Sequence, residues 1–267
     1  MRIPLYQVDA FTNKPFSGNP AAICPLDSWL DDATMQNMAA ENNLAETAFF
    51  VGGNGNYQLR WFTPVNEVDL CGHATLASSH VIFNRLEPDR NEVTFSTRSG
   101  DLFVTRDGDV MTMNFPAAPA EVVDTNNDLL EALGGKPVEF HKASWFNMVV
   151  YVTADEIRSL KPNMAKLAEL NAGPVIVTAS GDGDGDDAPD FVSRMFAPNE
   201  GIPEDPVTGS AHCTLVPYWS ARLGKKQLLA HQVSARHGVL HCEDQGERVS
   251  ISGQAHEVLV GEFILQG

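Results

Sequence analysis

The sequence has few cysteines, few basic residues and no long apolar run. Its 267 residues include four cysteines and no CxxC pair, so neither a disulfide framework nor a zinc site is indicated. Lysine and arginine number 18 against 35 acidic residues, and the net charge of −17 argues against nucleic acid or an anionic membrane as a partner. No apolar run approaches the ~20 residues needed to cross a bilayer. No glycine-rich phosphate-binding fingerprint is present either.

These absences favour a globular protein whose acidic surface keeps it in solution. The first residues, "MRIPLYQVDAF", alternate as a strand does and lack the apolar segment of a signal peptide. We therefore expect a cytoplasmic protein with reduced thiols. The length suits one large domain or two smaller ones.

An internal repeat organises the chain. The stretch "RWFTPVNEVDLCGHATLA" (60–77) is echoed by "RMFAPNEGIPEDPVTGSAHCT" (194–214). Both run from Arg through Phe and Pro to an acidic patch, and then to a glycine that precedes a helix-like segment. Weaker matches link the segments that start at Asn19 and Asn147, and those at 96–109 and 234–247, in the same order. Such a repeat indicates two similar halves.

Each half has the pattern of an α+β domain. Apolar strands alternate with two helical segments, and the second helix follows the glycine. Helices combined with a mostly antiparallel sheet predict two pseudo-symmetric α+β domains, 1–116 and 117–254. The last strand, 255–267, lies outside the second copy, so we expect it to return to the first domain. We also expect one helix over 154–170, and a later helix kinked or shortened by Pro217.

The repeat-equivalent glycines, Gly72 and Gly209, each open a predicted helix. The free N–H groups at a helix start favour a carboxylate, and glycine permits its close approach. A pair of such corners, facing one another across a cleft, predicts a site for a small carboxylate.

The copies differ in the residues that can perform chemistry. His73 aligns with Ser210 and Cys71 with Thr208, while Asp205 precedes the second glycine. Glu46 is a lone carboxylate at the head of an apolar strand, and the matching strand of the second copy has no acid. A partly desolvated carboxylate suits acid/base chemistry. From the residues alone, an exposed residue at a strand start is an equally good interpretation of Glu46.

Four segments of the chain are "DAFTNKPFSGNPAAIC", "NNLAETAFF", "DLCGHATLASSHVIF" and "EDPVTGSAH". Together they resemble the signatures of the PhzF family, phenazine-biosynthesis-like proteins with the diaminopimelate-epimerase fold. The resemblance covers essentially the whole chain. It implies two domains, each a curved sheet around a central helix, with the active site between them. It also implies a homodimer and no cofactor, and we expect no metal.

The resemblance also implies roles for individual residues. In the founding enzyme of the family, an acid in the "ET" segment moves a proton within a dihydro-3-hydroxyanthranilate ring, and here that acid is Glu46. His73 and Asp205 would hold and polarise the polar groups of the substrate. The substrate-binding residues expected on this basis are Gly72, Gly209, Ser210 and Asn19.

Two other functions stay open. Cys71 resembles the thiol of diaminopimelate epimerase, which suggests a cysteine-assisted amino-acid epimerase or racemase. Those enzymes use one cysteine per half, however, and Thr208 occupies the second position here. The remaining alternative is a binding protein that has the same fold but does not turn over its ligand.

Overall fold

The computed structural model describes residues 1–185 and 187–265, so positions 266 and 267 of the expected final strand lie outside the described residues. The chain divides into two compact units. The first comprises Met1–Asn114 and Ser252–Gly267, and the second comprises Phe115–Ile251. Among the described residues, no helix is both long and apolar enough to span a membrane.

Between positions 1 and 116 the chain forms strands with short helices between them. In chain order they are β1 (Arg2–Ala10), β2 (Asn19–Leu26), α1 (Asp32–Asn42), β3 (Glu46–Gly53), β4 (Asn56–Phe62), β5 (Glu67–Val68), α2 (Gly72–Val81), a π-helical turn (Ile82–Leu86), β6 (Glu92–Thr97), β7 (Gly100–Asp107) and β8 (Val110–Pro116).

The remaining elements follow a similar sequence and end in a long strand. They are β9 (Glu121–Val122), α3 (Asn127–Leu133), β10 (Glu139–Lys142), β11 (Asn147–Val150), α4 (Ala154–Ser159), α5 (Met164–Leu170), β12 (Val175–Ser180), β13 (Phe191–Ala197), a 3-10 turn (Pro198–Glu200), β14 (Ile202–Asp205), α6 (Gly209–Leu223), β15 (Gln227–Gln232), β16 (Gly238–Asp244), β17 (Arg248–Gly253) and β18 (Ala255–Ile264).

The sheet of the first unit combines antiparallel and parallel neighbours. The final strand β18 pairs antiparallel with β1, from Ala255 opposite Ala10 to Ile264 opposite Arg2. The order then continues through β2, β3, β4, β6, β7 and β8, with parallel pairing between β2 and β3 and between β4 and β6. The described pairs are therefore mostly antiparallel, as an α+β fold requires.

Helix α2 is the central helix of this unit. Nine of its ten residues are buried, and it packs against β1, β2 and β3. A helix that is buried on all sides belongs inside a core. The hydroxyl groups of its Thr and Ser residues donate hydrogen bonds to carbonyls of the same helix. Thr75 donates to the Cys71 carbonyl at 2.6 Å, and Ser78 donates to the Ala74 carbonyl at 2.7 Å. Such bonds to the carbonyl four residues earlier let polar side chains occupy a buried helix.

The second unit repeats the strand order of the first. Pairing is antiparallel for β10 with β11, parallel for β11 with β12, antiparallel for β12 with β13, parallel for β13 with β15 and antiparallel for β15 with β16. The same alternation runs from β1 to β7 in the first unit. The repeat seen in the sequence is therefore a repeat of structure.

One helix prediction for the second unit is wrong, and a second is wrong in part. The single helix expected over 154–170 is two helices, α4 and α5. Leu160 ends α4 in an extended conformation (ψ 134°), and Pro162 follows two residues later, where it cannot continue the helical hydrogen bonds.

Pro217 does not shorten α6, which runs without a break over 15 residues. Proline has no N–H to donate to the carbonyl four residues earlier, which is that of Cys213. Ala118 donates its N–H to that carbonyl at 2.9 Å instead, so the acceptor is satisfied from outside the helix.

The arginines of the repeated stretch have a structural role. Arg60 donates two hydrogen bonds of 2.7 Å to Glu67, and its guanidinium lies 5.1 Å from the centre of the Phe62 ring. In the second unit, Arg194 bonds Glu204 at 2.7 and 2.9 Å and lies 5.0 Å from the centre of its own phenylalanine ring, Phe196. Forked arginine–carboxylate pairs are geometrically specific, which explains why both copies contain an arginine, a phenylalanine and a downstream acid.

Candidate active site

Three polar side chains converge inside the first unit. Asn19 is the first residue of β2, Glu46 is the first residue of β3, and His73 is the second residue of α2. Because β2 and β3 are parallel, with Ala21 opposite Glu46, both strands begin at the same edge of the sheet. The N-terminus of the buried helix brings His73 to that edge.

The contacts place His73 at the centre of this group. Its Nε2 lies 3.0 Å from Glu46 Oε2, and its Nδ1 lies 3.1 Å from Asn19 Nδ2 and 3.5 Å from Cys71 Sγ. The Glu46 contact is close but is not aligned as a hydrogen bond. All four residues are at most 9% exposed. A carboxylate beside an imidazole in a nearly dry setting is an arrangement suited to proton transfer.

The charges of this group are coupled. Burial raises the pKa of the Cys71 thiol to about 11, and the Glu46 carboxylate adds to that rise. Burial by itself lowers the pKa of His73, but the sulfur of Cys71 and the carboxylate of Glu46 outweigh it and raise that pKa above the usual value. Since the sulfur raises it only as a thiolate, and Cys71 is a neutral thiol near pH 7, Glu46 is the group that supports the raised pKa of His73 at neutral pH.

The same residues include possible metal ligands. Glu46, Cys71 and His73 each offer one ligand atom, and these atoms lie within 4.8 Å of one another. His73 presents Nδ1 to the sulfur and Nε2 to the carboxylate, however, so the two neighbours lie on different sides of its ring. His73 thus has two separate neighbours, a thiol and a carboxylate.

The second unit has its own polar cluster, at the start of α6. Thr208 Oγ1 donates to Asp205 Oδ2 at 2.5 Å. Gln232 holds both residues: its side-chain amide donates to the Asp205 carbonyl at 2.8 Å and accepts from the Thr208 N–H at 2.8 Å. All three side chains are buried. Asp205 is therefore held rigidly at the end of β14, directly before the helix that begins with Gly209 and Ser210.

A buried histidine lies one turn further along α6. His212 is fully buried, and its Nδ1 lies 2.8 Å from the Thr208 carbonyl, which requires that this nitrogen carry the proton. Burial lowers the pKa of His212 to about 4, so the ring is neutral at pH 7.

The expected site residues fall into two groups by unit. Asn19, Glu46, Gly72 and His73 lie in the first unit, where Asn19 and Glu46 directly contact His73. The second group consists of Asp205, Gly209 and Ser210, which lie in the second unit.

Sequence reasoning did not identify Gln232. Gln232 ends β15, which reads "QLLAHQ", and a polar residue at the end of such a strand is a common feature that signals no role. Its partners lie 24 and 27 positions earlier in the chain.

The fold is shared with proteins of known structure. A predicted epimerase from Pseudomonas aeruginosa superposes with a TM-score of 0.72 over the whole of both chains, and at 20% identity this likeness concerns the fold alone. A PhzF-family phenazine biosynthesis protein from Enterococcus faecalis superposes with a TM-score of 0.94 at 44% identity, covering 99% of this chain and 100% of that one.

Sequence comparison identifies the family. The family model described as "Phenazine biosynthesis-like protein" (PhzC-PhzF) matches residues 8–261. An uncharacterised isomerase from Pseudomonas aeruginosa is 52% identical over 265 residues, which is 99% of this chain and 100% of that protein. The chain therefore belongs to the PhzC-PhzF family of phenazine biosynthesis-like proteins, whose relatives include proteins named as isomerases.

Proposed function

We propose that this protein is a cofactor-independent isomerase that moves a proton within a small, cyclic, carboxylate-bearing substrate, with Glu46 as the acid/base. The observation that carries the proposal is the contact between Glu46 and His73 at the common edge of β2, β3 and α2. Glu46 is the carboxylate of the group, and at 9% exposure it retains limited access from solvent.

In the proposed reaction, Glu46 removes a proton from an acidified carbon and returns it to another carbon of the same molecule. A single base suffices because the proton leaves and returns on one face. His73, 3.0 Å from Glu46, orients the carboxylate and polarises the substrate. The second unit supplies no carboxylate at the strand position that matches Glu46, since the corresponding strand reads "VIVTAS".

Substrate binding is assigned to the helix starts. Neither Cys71 nor Thr208, the N-cap residues of α2 and α6, bonds the first N–H groups with its side chain. These groups favour an anion. We assign Gly72, Gly209 and Ser210 to carboxylate binding and Asp205 to a donor group of the substrate, as the family resemblance implies.

A cysteine-assisted epimerase is the second candidate, favoured by the 3.5 Å contact between Cys71 Sγ and His73 Nδ1. The raised pKa of Cys71 opposes it, because only the thiolate is a competent base. Thr208, at the equivalent point of the second unit, could not serve as the opposing thiol.

Deuterium exchange tests the function without a known substrate. A panel of unsaturated cyclic hydroxy- and amino-carboxylates is incubated with the protein in D₂O, and mass spectrometry detects incorporation into carbon. Glu46→Gln should reduce incorporation by about 10²–10⁴-fold, the usual contribution of a general acid/base. Glu41→Gln, an exposed carboxylate in the same unit, is the matched control.

Incorporation that survives in Glu46→Gln at the wild-type rate would rule out Glu46 as the acid/base. Binding of panel members with neither incorporation nor an isomerised product detected by chromatography would favour a protein that binds its ligand without turnover. We also propose, on the family resemblance, a cytoplasmic homodimer that acts in biosynthesis, and sedimentation analysis would test the dimer.

A further inference from the structure

The loop that connects β1 to β2 holds an aromatic side chain in an unusual state. Phe16 has a left-handed backbone (φ 65°), and its side chain is exposed, with a relative accessibility of 83%. A left-handed backbone is uncommon for residues other than glycine and rare for bulky ones. It persists only where the surroundings enforce it. Exposure of a whole phenyl ring is also unfavourable. A residue that combines both features contributes little to folding.

The surroundings do enforce this conformation. The Phe16 N–H donates to the buried carboxylate of Asp9 at 3.2 Å. Gly18 is also left-handed, and a Cβ at that position would lie 2.1 Å from the Ala10 carbonyl oxygen, so no other residue fits. Phe11, at the start of the loop, is fully buried. The loop is thus fixed at both ends and presents Phe16 on a rigid support.

The loop belongs to the candidate active site by its position. It ends at Asn19, which pairs with Ala10 across the hairpin and whose side chain contacts His73. Phe16 precedes Asn19 by three residues, so their Cα atoms are at most about 11 Å apart. The loop therefore joins an exposed phenyl ring to the residue that contacts His73.

The second unit repeats the arrangement. Trp145 is 64% exposed and lies two residues before Asn147, the repeat partner of Asn19. Each copy therefore presents an exposed aromatic side chain two or three residues before the asparagine that opens β2 or β11. An exposed aromatic retained in both copies points to a shared use of these loops.

We propose that Phe16 is a specificity-determining residue that covers the planar ring of the substrate. The inference rests on the proposed proton transfer. A carboxylate can remove a proton from carbon only if the resulting charge spreads into neighbouring unsaturated bonds, and such a conjugated system is planar. An aromatic side chain stacks on a planar ring and gains more than it does on a puckered one.

The test separates stability from binding. In Phe16→Gly and Phe16→Asn the ring is absent and the left-handed backbone is tolerated, so the apparent Tm should rise, by about 2–4 °C. Asn54→Gly is the matched control: Asn54 is exposed and left-handed (φ 54°) in the β3–β4 turn, and asparagine already tolerates that backbone. It should leave the Tm nearly unchanged.

Binding is measured by calorimetry with 3-hydroxybenzoate and with its saturated analogue 3-hydroxycyclohexanecarboxylate. Both Phe16 variants should bind 3-hydroxybenzoate about 2- to 10-fold more weakly than the wild type. The saturated analogue should change less, and Phe16→Trp should retain the affinity for the planar probe.

The outcomes are distinct. A lower Tm in both variants, or a change in their oligomeric state, would show that the ring is a packing or subunit contact and would overturn the inference. Undiminished binding of 3-hydroxybenzoate in the variants, or no binding to the wild type, would overturn it as well. Binding that depends on Phe16 but is unchanged in His73→Ala would support the ring contact and count against the proposed site.

Discussion

His73 Nε2 lies 3.0 Å from Glu46 Oε2, and this pair joins a strand start to a helix start in the core of the first unit. Water hydrates these two side chains much less than it hydrates a pair at the surface, because His73 is 4% exposed and Glu46 is 9% exposed. The protonation of His73 must therefore depend on the charge of Glu46.

The first prediction concerns this dependence. Glu46→Gln removes the carboxylate charge and leaves burial as the main influence, so the pKa of His73 should fall. NMR titration of labelled histidine would measure the change, and Glu41→Gln should leave the His73 titration as in the wild type.

Stability should follow the same dependence. A raised pKa in the folded state stabilises the protein below the unfolded value of about 6.5, and this contribution is lost as the pH rises through the folded pKa. In Glu46→Gln, the stability should not fall in this way as the pH rises. A His73 titration that is identical in both proteins would show that the two groups are uncoupled.

The second prediction separates the two reaction classes. Cys71→Ala should retain deuterium incorporation within about 10-fold if the thiol only packs beside His73, and should abolish it if the thiol is a base. Cys242→Ala, a buried thiol of the second unit, controls for the loss of volume. Abolished exchange in Cys71→Ala alone, with an unchanged Tm, would favour the epimerase.

Local patterns in the sequence identified the repeat, the α+β class and the candidates Glu46 and His73. They could do so because strand alternation and helix starts depend on residues that are close together in the chain. What they did not reveal depends on distant partners. The Cys213 carbonyl, which Pro217 leaves without a donor in α6, accepts a hydrogen bond from the Ala118 N–H. Ala118 lies almost one hundred positions earlier in the chain. The role of Gln232 likewise exists only once β15 lies beside the start of α6.

The third prediction concerns the repeated arginines. Arg60 is 19% exposed and Glu67 is 13% exposed, and lysine cannot reproduce the forked bond between them. Arg60→Lys should therefore destabilise the protein by about 1–3 kcal/mol, measured by urea unfolding. Arg85→Lys, which alters a more exposed pair with Glu257, should have little effect. Equal effects of the two substitutions would mean that the repeated arginine has no special structural role.

The fourth prediction concerns acid. His212 is neutral in the folded state, with a pKa of about 4, whereas an unfolded histidine has a pKa of about 6.5. Between these values the unfolded chain binds a proton that the folded chain does not, so stability falls by up to about 3 kcal/mol as the pH drops to 4. His212→Asn keeps a donor for the Thr208 carbonyl and should lose stability less steeply over this range. The exposed His241→Asn should keep the wild-type slope; equal slopes in all three proteins would contradict the prediction.

The last prediction concerns the start of α6. A helix N-terminus favours a carboxylate by about 0.3–1 kcal/mol, but the negative charge of Asp205 opposes a simple anion. Asp205 is held by Thr208 and Gln232, and its carboxylate can only accept hydrogen bonds. A ligand that carries both a carboxylate and a hydroxyl donor should therefore bind better than the carboxylate alone.

Calorimetry with 3-hydroxybenzoate and benzoate tests this directly. The wild type should prefer the hydroxylated probe, and Asp205→Asn should reduce that preference by tightening benzoate, because the repulsion is gone while the N–H groups remain. Asp124→Asn, an exposed acid of the same unit, should behave as the wild type does. Equal affinity of the wild type for both probes would mean that Asp205 does not recognise a donor, and an unchanged preference in Asp205→Asn would assign the discrimination to another residue.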